Sequence, residues 1–94
     1  MQYTHNKSEI QKLIKKAFNK RLKLKIKYYS LYSDQHTTRI IEIYQLHTSA
    51  IIAFCNLRQE ERTFRIDQIN SAKLLDEQYT IPKNWSPENI ILDN

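Results

Sequence analysis

Lys20 to Tyr29 read KRLKLKIKYY, and the fold turns on how this stretch is read. Leu22, Leu24, Ile26 and Tyr28 alternate with Arg21, Lys23, Lys25 and Lys27. A period of two over this length is a half-buried β-strand, one face in a core and the other in water. The wet face is almost pure lysine. Two readings compete for it. One is a track for nucleic-acid phosphates, with Tyr29 and Tyr32 near enough in sequence to stack on bases. The other is an edge strand, whose lysines discourage pairing with a second chain. The edge reading is preferred, with nonspecific attraction to polyanions as a by-product.

Upstream, Ser8-Glu9-Ile10-Gln11 has the form of a capping box with Ser8 as N-cap. Ile10, Leu13, Ile14, Ala17 and Phe18 then follow helical spacing, with Lys12, Lys15 and Lys16 on the opposite face. The pattern predicts a helix over about residues 8–19. Downstream, Ser30–Thr37 reads as a polar loop and Thr38–Leu46 as a strand. In that strand Arg39, Ile41 and Ile43 share one face, and Ile40, Glu42 and Tyr44 the other. His47-Thr48 suits a tight turn. Ser49–Cys55 is apolar on both faces, as in the middle of a sheet. After a turn at Asn56–Glu60, Glu61–Ile66 alternates again, with Phe64 and Ile66 inward. A turn at Asp67–Ile69 leads to a last strand at Ser71–Leu75. Tyr79, Ile81 and Trp85 mark a tail, where Ser86-Pro87-Glu88 suits a short helix with proline at N1. One helix and about five strands predict a strongly bent sheet or small barrel spanning about residues 21–76.

Ninety-four residues make one domain, residues 1–94, with a tail over about 77–94. No run of apolar residues is long enough to span a bilayer, and MQYTHNKSEI lacks the apolar core of a signal peptide. The lone Cys55 permits no internal disulfide and fits a reducing compartment, so the expected location is cytoplasmic. Charge is polarised. Residues 1–30 hold nine Lys/Arg against one acid, a net of +8, while residues 31–94 hold six against nine, a net of −3. The basic half should prefer anionic partners. Glycine is absent, which excludes the glycine-dependent phosphate loops of nucleotide-binding enzymes. His5, His36, His47 and Cys55 show no metal-ligand spacing, so no metal or other cofactor is expected. Ser33-Asp34-Gln35-His36 holds the residue types of a triad, but adjacent in one polar loop, without an oxyanion site. The chain reads as non-enzymatic.

Four stretches then follow in an order that is not generic: Tyr28 closing a strand after the helix, RIIEIYQL at 39–46, IIAFCNLR at 51–58 and RTFRIDQI at 62–69. This succession resembles the WYL domain of bacterial regulators over most of the chain. RTFRIDQI carries the resemblance best, matching the family's R-x-F-x-x-D-R-I pattern at all but one position. The resemblance implies an Sm-like, SH3-like small β-barrel packed on an N-terminal helix. It also implies a regulatory module that binds nucleic acid or a nucleotide-like ligand and commonly sits behind a helix-turn-helix. No helix-turn-helix is legible here, so transcriptional control would work through a separate DNA-binding partner. The chain departs from the family pattern at three places: Ser49, Ala50 and Ile51 stand at the name-giving Trp-Tyr-Leu, Ile43 at a proline, and Gln68 at the second arginine of the signature.

The expected ligand residues are Tyr28, Arg39, Arg62 and Arg65. Guanidinium forks match phosphate geometry and keep their charge. Alternation puts Arg62 with Phe64 on one face and Thr63 with Arg65 on the other, so the arginines cannot all line one pocket. Arg62 is expected at the rim of the core beside Tyr28, where with Arg39 it would bind an anion. Otherwise it pairs structurally with Glu60, Glu42 or Asp67. Lys23, Lys25, Lys27 and Arg58 form a second, weaker nucleic-acid candidate. The rival function is a protein-interaction or homodimerisation module with a degenerate pocket.

Overall fold

The computed structural model describes residues 2–30 and 33–87. Helix α1, Lys7–Lys20, starts from Asn6, whose Oδ1 accepts the backbone N–H groups of Ser8 and Glu9 at 2.9 and 3.2 Å. The cap is therefore Asn6 and not Ser8. The two side chains cap about equally well, and from Asn6 the Glu9 carboxylate falls at the third helical position, within the first turn at the positive end of the helix dipole. Ile10, Ile14 and Ala17 are buried. The helix ends at Arg21, in the left-handed region at φ 55°, with its N–H returned to the Ala17 and Phe18 carbonyls. Without glycine, the left-handed positions fall on Arg21, Asp34 and Gln59, each costing roughly 1 kcal/mol of local strain.

Five strands follow: β1 Leu22–Ser30, β2 Gln35–Leu46, β3 Ala50–Cys55, β4 Glu60–Arg65 and β5 Ile69–Gln78. They form one antiparallel sheet of order β4-β3-β2-β1-β5. The mostly-β architecture behind one N-terminal helix is as expected; several details are not. β1 is an interior strand, so its lysines do not protect an edge. The reason is register. Leu24, Ile26 and Tyr28 of β1 align with Leu74, Ala72 and Ile69 of β5, which extends their apolar face. An antiparallel sheet keeps its other face in water, and there lysine is compatible with a central strand. β2 begins at Gln35 rather than Thr38, because Tyr29↔His36 and Ser30↔Gln35 continue the ladder through residues polar enough to read as loop. A 3-10 turn, Ile66–Gln68, replaces the expected turn at Asp67–Ile69, and β5 outruns the expected Ser71–Leu75.

The sheet is rolled but not closed. Flat, β1 and β4 would lie about 14 Å apart, three strand spacings. Yet the Tyr28 hydroxyl is 3.2 Å from the Arg65 backbone nitrogen, and its ring meets Phe64 edge-on at 5.0 Å. The three-residue turn from β4 into β5 brings the two edges to one corner, but no β4–β5 ladder forms among the described residues. A closed barrel is thus not what the hydrogen bonds define. The rolled inner face holds Leu24, Ile26, Tyr28, Ile41, Ile43, Ile51 and Phe64, and α1 packs onto it through Ile10, Ile14 and Ala17.

The first part of the tail is strapped to the sheet. A register shift between Ile43 and Gln45 interrupts the β2–β3 ladder, and the Tyr79 hydroxyl donates to the Ile43 carbonyl there. Burial pushes the Tyr79 phenol up to about 12. Trp85 donates its indole N–H to Glu61 and packs edge-on against Tyr44 at 5.3 Å. The helix expected from Ser86-Pro87-Glu88 lies largely outside the described residues, as does Tyr32.

Candidate nucleic-acid and anion-binding surfaces

The inner face gathers part of the arginine set. Alternation in β2 sends Arg39 inward with Ile41 and Ile43, and its side chain is only 1% exposed. Its guanidinium carbon lies 5.7 Å from the Tyr28 ring centre and 5.6 Å from that of Phe64. Nε donates to Thr37 Oγ1 at 2.9 Å, and an Nη lies 3.9 Å from Cys55 Sγ. A delocalised, weakly hydrated cation between aromatic faces tolerates burial better than an ammonium does. Tyr28 is fully buried, and that burial raises its phenol above the ordinary value. Arg39 and Tyr28 are thus brought together, enclosed rather than open.

The other arginines stand apart. Arg62 aligns with Ala53 on the inner face and pairs with Glu60, one of the structural partners expected for it. Its buried Nε has no hydrogen-bond partner among the described residues. Arg65 lies on the outer side, half-exposed, 3.4 Å from Asp67. Arg58 sits in the exposed turn between β3 and β4.

The outer face separates the lysines by chemistry. Lys23 is held between carboxylates, 3.0 Å from Glu77 of β5 and 3.7 Å from Glu42 of β2. Its ammonium is raised above the usual lysine range, chiefly by the hydrogen bond to Glu77. Lys25 and Lys27, two and four residues on, have no ion pair among the described residues. Lys25 stands directly opposite Lys73, an arrangement that repels. The Tyr3 ring lies beneath this group, 4.7 Å from Lys27 Nζ and 5.9 Å from Lys73 Nζ. Thr4 holds Tyr3 there by pairing with Ala72, at 2.8 and 3.0 Å. Lys25, Lys27 and Lys73 therefore form an uncompensated cationic patch around an aromatic ring, while Lys23 belongs to a neutralised cluster.

Sequence reasoning missed Lys73 and Tyr3. Lys73 is one charge in SAKLL, and only its register opposite Lys25 gives it meaning. Tyr3 comes from a terminus with no periodic pattern. The alternation of Lys25 and Lys27 was the signal available.

One amphipathic helix ahead of a rolled five-stranded antiparallel sheet, with RTFRIDQI running from β4 into the 3-10 turn, defines the class of domain. The family model for the WYL domain matches residues 9–74, and the chain belongs to that family. Its structure is similar to that of proteasome accessory factor B/C (PafBC) of Arthrobacter aurescens, with a TM-score of 0.64 and 24% identity. The match covers 77% of this chain and 12% of that one, a likeness of fold. No curated protein matches the chain. No helix among the described residues is long and apolar enough to cross a membrane.

Proposed function

We propose that this WYL domain is a non-enzymatic regulatory module that binds nucleic acid or a nucleotide-like anion. Membership of the family supports the regulatory role. The observation that carries the binding is the outer patch. Lys25 and Lys73 face each other in register, with Lys27 beside them and no carboxylate engaging any of the three among the described residues. Like charges opposed across a sheet destabilise it, and a polyanion laid over them removes that penalty while releasing its own counterions. The signature arginines rank second. Arg62 and Arg65 would exchange Glu60 and Asp67 for ligand phosphate, and Arg39 with Tyr28 would engage a ligand only as the sheet opens.

Fluorescence anisotropy of labelled single-stranded and duplex oligonucleotides across a salt series tests the reading, with an Arg39→Met/Arg62→Gln variant alongside. Salt-sensitive binding that this variant retains is the expected result. Binding lost in a folded double variant would move the site to the inner face, and no binding at low salt would remove nucleic acid as the ligand. Self-association is the second reading, favoured by β4 standing at the sheet edge. Glu60, Glu61, Arg62 and Arg65 along that strand discourage it. Sedimentation showing a monomer at every concentration would eliminate it.

A further inference from the structure

Beside the lysine patch lies a cleft of about 460 Å³, bordered by His5, Lys27, His36, Thr38, Asn70 and Ser71. Its floor follows from register. Lys27 aligns with Thr38 of β2 and with Ser71 of β5. The antiparallel Thr4↔Ala72 bridge continues the row, setting His5 opposite Ser71. The row His5–Ser71–Lys27–Thr38 thus crosses four chain segments about 4.8 Å apart. The β1–β5 register shifts between Lys27 and Tyr28, with Asn70 as the extra residue. A bulge of this kind re-aims side chains out of the ladder. Asn70 turns to His36, with Nδ2 3.1 Å from the ring Nδ1, and the His36 ring leans on Tyr29 at 4.9 Å. None of the described residues bordering it is a carboxylate.

Ser71 supplies an independent observation. It is 1% exposed, and its Oγ has no hydrogen-bond partner among the described residues. A buried hydroxyl left unmade is unfavourable, and such a group calls for an explanation. Here the hydroxyl stands in register with an ammonium, at the border of a cleft with no acid among its described residues. Lone-pair oxygens of an anion would accept from Thr38 Oγ1 and Lys27 Nζ at the surface and, as the side chains over it part, from Ser71 Oγ, and the Tyr29–His36 rings beside them offer a surface for a base.

The geometry points to this cleft as a phosphate subsite, one that seats a nucleotide phosphate on Lys27, Thr38 and Ser71. The inference rests on the nucleic-acid reading above and deepens it, because it fixes which rows of the sheet a strand crosses. Lys25 and Lys73, in the next row, then meet the neighbouring part of the same ligand.

The test is a titration of the ¹⁵N-labelled chain followed by NMR, with inorganic phosphate, thymidine 5′-monophosphate and a short oligothymidylate as separate probes. Saturable shifts at Lys27, Thr38, Asn70 and Ser71 with all three are expected. Lys27→Gln should weaken oligothymidylate binding on the order of tenfold. Ser71→Ala should weaken it roughly fivefold while leaving the unfolding midpoint unchanged or raised, since it deletes an unpartnered hydroxyl. A hydroxyl with only a structural role would leave affinity untouched. Undiminished oligothymidylate binding in both variants overturns the subsite and leaves the nucleic-acid reading to other residues. Shifts with the two small probes but not the oligomer uphold the subsite and overturn nucleic acid in favour of a free nucleotide. No shift with any probe overturns both.

Discussion

At the scale of single residues, chemistry and burial assign different work to side chains that look alike in the sequence. Lys23 and Lys25 are neighbours in one alternation, yet Lys23 is spoken for by Glu42 and Glu77 and Lys25 faces another lysine. Tyr28 and Tyr79 are both buried phenols that close gaps in the backbone, Tyr28 toward Arg65 N and Tyr79 toward Ile43 O. Tyr28→Phe should therefore cost about 1–2 kcal/mol by leaving a backbone donor unpaired. Tyr28→Ala should cost about 3–5 kcal/mol, because it also removes the ring from the core. Urea unfolding of both variants checks the pair. Tyr79 adds a pH dependence. Its phenol is raised from 10 to about 12, so the unfolded chain ionises first as pH climbs. The stabilisation is complete below pH 10 and lost between pH 10 and about 12. Tyr28 and Tyr44, raised by burial in the same direction, add to that alkaline fall. The unfolding midpoint should drop across this window, and less steeply in Tyr79→Phe. The inward placement of Arg39 was legible from its alternation with Ile41 and Ile43. Its enclosure was not, because that depends on rings from β1 and β4 that only the rolled sheet brings over it.

Among the elements, local signals were read well and register was not. The helical spacing of Ile10, Leu13, Ile14 and Ala17 located α1, and the period of two located β1. The helix start missed by two residues because Asn6 and Ser8 are nearly equal capping types, and nothing local to them records that Thr4, two residues before the cap, is paired to Ala72 of β5. Asn6→Ala should accordingly lower stability by about 1 kcal/mol in urea, while Ser8→Ala changes it little. The reverse ranking would return the cap to Ser8. The interior position of β1 was invisible for a different reason. Strand order is set by the inner-face match of Leu24, Ile26 and Tyr28 to Leu74, Ala72 and Ile69, residues about 40 to 50 positions away. No local pattern encodes a partner at that separation. The lysines, taken for edge protection, are instead the solvated face of a central strand, and there neighbouring strands can array charges into a surface.

For the whole molecule, charge and fold combine. The N-terminal third carries most of the positive charge, and folding divides it between the helix face of Lys12, Lys15 and Lys16 and the outer sheet patch of Lys25 and Lys27, to which β5 adds Lys73. Only the second set is organised by register, around a ring, beside a cleft with no carboxylate among its described residues. If the patch is what meets phosphate, its three lysines should account for a slope of about 2 in log affinity against log salt on single strands. On the proposed reading, position on the sheet, and not net charge, decides binding. One measurement tests it directly: salt-dependent anisotropy with oligothymidylate for two variants of equal net charge, Lys25/Lys27/Lys73→Gln and Lys12/Lys15/Lys16→Gln. The sheet variant should lose affinity and salt slope while the helix variant keeps most of both. Equal losses in the two, or a sheet variant that binds like the unmodified chain, would contradict it.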